Sequence, residues 1–189
     1  MWIPLGFIFE TELIQVLLGN FWDPLEFRIG CVKCLNEIAC LHEGVGQYQP
    51  QLVQCFAGLI QKINEIPPEV FEFEKIPAAN RVYWEVLLNQ LALLFTGFLR
   101  HNLNAMEQTP DLMVAALQLL TKISTLPNEE TFKICLEFWH IFAAKLYVDS
   151  QASQQAAQGS LGQGPLMLTL TTGGGMTENI TGAALGEQE

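Results

Sequence analysis

The sequence predicts an all-α chain in which about six helices stack as consecutive antiparallel pairs, followed by a disordered C-terminal tail. Three observations support this prediction. Apolar residues recur every three or four positions, prolines and glycines fall where helices begin and end, and the composition changes near Asp149. A strand-like alternation occurs only in the short stretch from Val70 to Phe73.

Helix starts are indicated by proline in the first helical turn, where a backbone N–H has no intrahelical partner, and by acidic residues there, which the helix dipole favours. These starts lie at Asp23-Pro24, Gln49-Pro50, Thr109-Pro110 and Asn128. Helix ends are indicated at Gly19, at Gly44 and Gly46, and at Pro67-Pro68. The predicted helices are roughly 7–19, 24–42, 50–65, 81–102, 110–124 and 129–148.

Within these helices the apolar residues share one face. Leu52, Phe56, Leu59 and Ile63 illustrate the spacing in the third helix. The run from Val82 to Leu99 is apolar almost all round, which is typical of a helix covered on several sides. In the last helix the aromatic stripe that includes Trp139 and Phe142 is interpreted as core, or as the face for a further repeat.

The order of the helices indicates a repeat. Helices that begin near 24, 81 and 128 alternate with helices that begin near 50 and 110, so the period is about 40 to 50 residues. That period is typical of an α-solenoid of antiparallel HEAT-type helix pairs. Spacing alone leaves a six-helix bundle open as an alternative, and the acidic connection at 66–80 departs from a strict repeat.

Composition and charge exclude several classes of protein. Half of the residues are hydrophobic, and the formal net charge of −11 repels nucleic acid. The longest apolar run, Val86 to Leu99, is too short for a membrane span, so no membrane insertion is expected. The odd set of cysteines indicates reduced thiols in the cytosol or nucleus.

Two domains are predicted from the change in composition. Residues 1–148 form the helical repeat region, and residues 149–189 form a low-complexity disordered tail without Lys, Arg or aromatic residues. The first and last helices are both strongly apolar, whereas the terminal repeats of a solenoid need one polar face. We therefore expect the isolated chain to associate with itself.

Three segments carry a resemblance to a known family: 2–11 (WIPLGFIFET), 27–39 (FRIGCVKCLNEIA) and 132–147 (FKICLEFWHIFAAKLY). They resemble the central HEAT repeats of the exportin-1 family, the nuclear export receptors of the importin-β superfamily. The resemblance runs through about 1–148. It implies a receptor that binds leucine-rich export-signal cargo together with Ran-GTP, contacts nucleoporins and shuttles between nucleus and cytoplasm, without catalysis or a cofactor.

The resemblance also implies which parts lie elsewhere. The Ran-binding N-terminal repeats of the family would precede Met1, and its acidic loop and export-signal groove would follow residue 148, so the chain is expected to be a fragment. The second helix of each pair, 51–65 and 111–124, would be on the inner face. The candidate partner contacts on these helices are Gln51, Gln54, Gln61, Lys62, Gln118 and Lys122.

Two alternatives remain at this point, one of a different class and one of the same class. Cys31 and Cys34, perhaps with Cys40 and His42, could form a metal or thiol site, but their spacing on one helix favours core packing. The histidines have no nucleophile and orienting residue at a recognisable spacing, so no enzyme activity is predicted. A HEAT-repeat scaffold without Ran coupling is the remaining alternative.

The acidic connection has two interpretations. Glu65, Glu69, Glu72 and Glu74 could dock a basic partner such as Ran. The simpler interpretation, which we favour, is a solvated loop whose phenylalanines, Phe71 and Phe73, pack back on the helices.

Overall fold

The computed structural model describes residues 3–41 and 43–160, and all of the regular elements in this part are helical. The α-helices are α1 (Leu5–Phe9), α2 (Leu13–Val16), α3 (Leu25–Ala39), α4 (Gln49–Asn64), α5 (Ala78–Glu107), α6 (Pro110–Ser124) and α7 (Glu129–Ser160). A π-helical turn, Leu17–Phe21, continues α2, and three 3₁₀ turns lie at Val45–Tyr48, Pro68–Phe71 and Phe73–Lys75. The prediction of an all-α helical repeat is confirmed.

The first predicted helix, 7–19, is divided in two. The Thr11 hydroxyl donates to the Phe7 carbonyl at 2.6 Å and accepts a hydrogen bond from the Leu13 amide at 3.3 Å. A side-chain oxygen that serves the backbone in this way competes with continuous helical hydrogen bonding. The chain therefore ends α1 and starts α2 around Thr11. The strand-like stretch at 70–73 is also not a strand, because Val70 and Phe71 lie in a 3₁₀ turn.

Helix α5 is longer than predicted at both ends. Near its C-terminal end Asn102 departs from helical geometry, with φ −117° and ψ 19°. Its buried side-chain amide donates to the Phe98 carbonyl at 3.1 Å and so satisfies a backbone group at the kink. By length and composition alone α5 could cross a membrane, but half of the relevant stretch is buried against other helices, as in the core helix of a soluble protein.

The chain divides into two units, 1–147 and 148–189, which are described separately. In the second unit, the described residues continue α7 to Ser160, where the sequence predicted the beginning of a disordered tail. The prediction was wrong for this stretch, because Ala and Gln are good helix formers and a helix that already exists needs no new nucleus. The rest of the predicted tail, 161–189, lies outside the described residues.

Helices α3, α5 and α7 run parallel in one layer. The Asn89 side chain of α5 donates to Thr131 of α7 at 3.3 Å, and farther along both helices Lys145 pairs with Glu107 at 2.6 Å. The Cys40 sulfur, just past the end of α3, lies 3.4 Å from where a Cβ of Gly97 in α5 would stand. Because contacting residue numbers rise together in α5 and α7, these two helices point the same way.

The start of α7 is fixed to α5 by a capping residue. The Asn128 side-chain oxygen accepts a hydrogen bond from the Thr131 amide at 2.8 Å, which caps the first turn. The amide group of the same side chain donates to the Glu85 carboxylate. One residue therefore sets both the beginning of α7 and its position against α5.

Helices α2, α4 and α6 form the second layer, and aromatic packing joins the two layers. Phe56 of α4 stacks on Phe98 of α5, with ring centroids 3.9 Å apart and planes inclined by 9°, and it contacts Phe95 at 5.0 Å. All three rings are buried. Only Gln108 and Thr109 separate α5 from α6, so these helices form an antiparallel hairpin.

Apolar anchors hold the acidic connection between α4 and α5. Ile66, Val70 and Ile76 are buried, and Phe71 is half-buried against the core. The glutamates of this segment, at 65, 69, 72 and 74, are exposed. The connection is therefore a fixed surface element with a solvated acidic side.

We expect Phe98→Ala to lower the free energy of unfolding by about 3–5 kcal/mol, because it removes a buried ring and leaves a cavity beneath Phe56. Phe132 is 48% exposed and provides the matched control, Phe132→Ala, which should change stability by less than about 1 kcal/mol. Urea unfolding followed by circular dichroism measures both. Equal losses for the two variants would contradict the packing described above.

Exposed apolar residues on α7 provide a surface for the self-association that the sequence predicts. On α7, Phe132 is 48% and Leu136 is 51% exposed. Replacing both by Ser should lower the average mass of concentrated solutions measured by light scattering, since apolar contact drives such association. The control, Glu137→Ser, changes an exposed polar residue of the same helix and should leave the mass unchanged. A monomeric parent chain at all concentrations would remove this prediction.

Candidate protein-binding face

The second layer of helices borders two grooves. The first groove lies between α2 and α4 and has a volume of about 330 Å³. Its lining residues are Phe9, Thr11, Ile14, Gln15, Leu18, Gln51, Gln54, Cys55, Ala57, Gly58 and Gln61. Three of the six candidate contacts predicted from the sequence, all of them glutamines, therefore share this groove.

The glutamines share the groove because of their spacing on α4. Gln51, Gln54, Gly58 and Gln61 are separated by three, four and three residues, which places them on one face of the helix. A Cβ at Gly58 would stand 3.2 Å from the Leu18 side chain. Gly58 thus allows the π-helical turn that continues α2 to lie close to α4 at the centre of the groove, and it adds no side chain that would fill the groove.

The Gln51 side chain holds a buried hydrogen-bond acceptor. Its Oε1 atom is buried and has no hydrogen-bond partner. The neighbouring Cys55 is protonated at neutral pH, because burial, with a smaller contribution from Cys31, raises the pKa of its thiol to about 12. This wall of the groove therefore carries neutral polar groups.

The second groove, of about 510 Å³, lies where the C-terminal ends of α4 and α6 meet the 3₁₀ turn at Pro68–Phe71. Ile63, Ile66 and Leu119 contribute apolar surface, and Lys122 and Glu72 contribute charge. The Lys122 ammonium lies 5.9 Å from the centre of the Phe71 ring, within the range of a cation–π contact. Lys122 is therefore the only one of the six sequence candidates that lines this groove.

The remaining two candidates lie outside both grooves. Lys62 pairs with Glu65 at 3.1 Å and with Asp23 at 3.3 Å, and these hydrogen bonds raise the pKa of its ammonium group. Gln118 is exposed on α6. The structure thus divides the predicted set into three glutamines in the first groove, one lysine in the second, one ion-paired lysine and one exposed glutamine.

The opposite wall of the first groove was not predicted from the sequence. Thr11, Ile14 and Gln15 come from the region where a single helix, 7–19, was predicted. The available signal was Gly58, since a glycine in the interior of an amphipathic helix often indicates a close approach by another element.

The cysteines and histidines were also sequence candidates. Cys31 is buried, and its thiol donates to the Leu17 carbonyl at 3.2 Å, whereas Cys34 is exposed and lines an apolar pocket of about 480 Å³ between α2 and α3. Within residues 3–41 and 43–160, no three His, Cys, Asp or Glu side chains are grouped closely enough to hold a metal ion. His42 lies outside the described residues.

Comparison of the sequence with known proteins identifies relatives of this chain. A family model described as a chromosome region maintenance or exportin repeat matches residues 111–147, which comprise almost all of α6 and the first part of α7. The chain is 32% identical over 149 residues to Protein EXPORTIN 1A of Arabidopsis thaliana, covering 77% of this chain and 14% of that protein. It is 31% identical over 152 residues to Exportin-1 of Schizosaccharomyces pombe, covering 79% and 14%.

A further relative, Exportin-1 of Drosophila melanogaster, is 31% identical over 148 residues, covering 77% of this chain and 14% of that protein. The chain therefore spans about one-seventh of the length of these relatives. The similarity runs through most of the helical repeat described above.

Thiol reactivity should distinguish the cysteines. Burial raises the pKa of Cys31 and Cys55 to about 12, so at pH 8 only about one in ten thousand of these thiols is the reactive thiolate. Cys34 is exposed and should react first with a maleimide, as mass spectrometry of the digested protein can measure. In the control, Cys34→Ser, the fastest phase should disappear. Fast labelling of Cys55 in the folded chain would contradict the groove geometry.

Proposed function

Since the chain is homologous to exportin-1 over most of its length and carries an exportin repeat, we propose that it forms central HEAT repeats of a nuclear export receptor. The observation that carries this proposal is the match at residues 111–147, because it coincides with one helix–turn–helix unit of the structure. Stacked units of this kind provide extended surfaces for other proteins.

In the proposed function, the full-length receptor binds cargo with a leucine-rich export signal together with Ran-GTP and passes nucleoporins between nucleus and cytoplasm. The receptor performs no catalysis, and the direction of transport comes from the nucleotide cycle of Ran. Coupling between cargo and Ran-GTP is then a free energy shared by two sites, so each ligand raises the affinity for the other by the same factor.

This chain would contribute the framework between those sites and some partner contacts of its own. The proposed contacts are the residues that face the two grooves of the second layer, Gln51, Gln54, Gln61 and Lys122, together with Lys62 and Gln118 on the same helices. Export-signal binding is assigned to other repeats of the receptor, so the isolated chain should not bind an export-signal peptide.

A chimeric receptor tests the proposal. The 152-residue matched segment of Exportin-1 from Schizosaccharomyces pombe is replaced by the corresponding residues of this chain. We expect the chimera to prefer Ran loaded with a GTP analogue over Ran-GDP and to bind an export-signal peptide more tightly when Ran-GTP is present, as fluorescence anisotropy can measure. The unmodified receptor is the reference.

A chimera that melts like the reference but binds both forms of Ran equally would favour a HEAT scaffold without Ran coupling. The acidic connection is tested in the same chimera, with Glu65, Glu69, Glu72 and Glu74 replaced by Gln. Weaker Ran binding at low salt would assign this segment to docking, whereas unchanged affinity would leave it as a solvated surface.

A further inference from the structure

The helices of the two layers alternate along the chain, from α2 in the second layer to α7 in the first. In this order a helix of the second layer would follow α7, and a helix of the first layer would precede α2. We propose that a second copy of the chain supplies both, so that α7 of one copy packs into the apolar pocket beside α3 of the next. This inference concerns the isolated chain and does not rest on the transport function proposed above.

The receiving surface is the pocket of about 480 Å³ between α2 and α3. On α3, Asn36 and Cys40 face α5, since the side chains of both approach Gly97. Cys34 and Ile38, which line the pocket, are each two positions from Asn36, or about 200° around the helix. The pocket therefore lies on the side of α3 that is opposite to α5.

The walls of this pocket are almost entirely apolar. Ile3, Ile8, Leu13 and Leu17 contribute side chains from the segment that includes α1 and α2. Glu37 is the one charged residue among those that line the pocket. Burial of such a surface against another apolar surface is favourable, because it removes both from water. The partner of this pocket should therefore be apolar.

The inserting surface is on α7, at the other end of the first layer. Thr131 and Glu137 of α7 bond to side chains of α5. Phe132, Leu136 and Ala143 are exposed, and their spacing of four and seven residues places them on one face of the helix. Leu136 is five positions from Thr131, or about 140° around the helix. The apolar face of α7 is therefore turned away from α5.

The two surfaces fit the order of the layers. A copy of α7 in the pocket would lie beside α3 in the first layer, as α7 lies beside α5 within one chain. The α2 of the second copy would then take the position after α6 in the second layer. Because the two surfaces differ and belong to opposite ends of the array, each added copy leaves one of them free. Such a contact does not close and produces assemblies of increasing length.

Two blocked variants test the proposal by sedimentation velocity. Cys34→Arg places a long charged side chain in the pocket, and Leu136→Arg places one on the apolar face of α7. Both positions are exposed, so neither change should disturb the core, as melting followed by circular dichroism checks. Each variant alone should stay monomeric where the parent forms species of increasing mass. The control, Gln54→Arg, adds the same charge at an exposed position of α4 and should associate like the parent.

A mixture of the two blocked variants separates this contact from other modes of association. Cys34→Arg keeps the face of α7 and Leu136→Arg keeps the pocket, so an equimolar mixture should form a dimer and nothing larger. A mixture that stays monomeric would overturn the proposal. Association of Cys34→Arg alone would also overturn it, because α7 would then pair with a surface other than the pocket. A parent chain that stays monomeric would have the same consequence.

Protection of Cys34 gives a second measurement, with the pocket unaltered. If α7 of another copy covers the pocket, a maleimide should label Cys34 severalfold more slowly in concentrated than in dilute solution. Leu136→Arg should abolish this dependence on concentration. An equal rate at all concentrations, in a parent chain that associates, would mean that a different surface forms the contact. Failure of these tests leaves the Ran proposal standing, since the chimera measures a different interaction.

Discussion

The structure depends on the burial of one layer of helices against the other, and the stacking of the buried Phe56 ring on Phe98 is one of the contacts that join the two layers. The same burial places the opposite sides of α4 and α6 toward solvent, where the two grooves lie. On α4 the buried face that joins the layers and the exposed glutamines Gln54 and Gln61 therefore lie on different sides of the helix.

The first groove illustrates how the fold produces a surface with its own chemistry. Helical spacing aligns the glutamines, and Gly58 allows the π-helical turn that continues α2 to come close to α4 and form part of the opposite wall. No charged residue takes part, although acidic side chains are abundant elsewhere in the chain. A neutral, amide-lined strip beside an acidic connection is consistent with a surface whose separate parts meet different chemical features of a partner.

Much of the fold could be predicted from the sequence, because periodic apolar residues and capping prolines act locally. The division of the first predicted helix at Thr11 could not be predicted, because it depends on the hydrogen bonds of a single hydroxyl group. The helical continuation to Ser160 was not predicted, because this stretch has little apolar surface to bury, although Ala and Gln extend an existing helix readily. For the site, the glutamine row followed from helical spacing, whereas the wall from α2 depends on tertiary packing that spacing does not contain.

The polar pairs between α5 and α7 have a mechanical consequence. Glu85 bonds to Asn128 and Asn89 to Thr131, so the partners are 43 and 42 residues apart, and both bonds hold the same register. A slip of one helical turn, about 5.4 Å, would break both at once and bury polar groups without partners. These two hydrogen bonds therefore resist sliding of α7 along α5, and the register between the two helices is fixed by polar groups rather than by apolar packing alone.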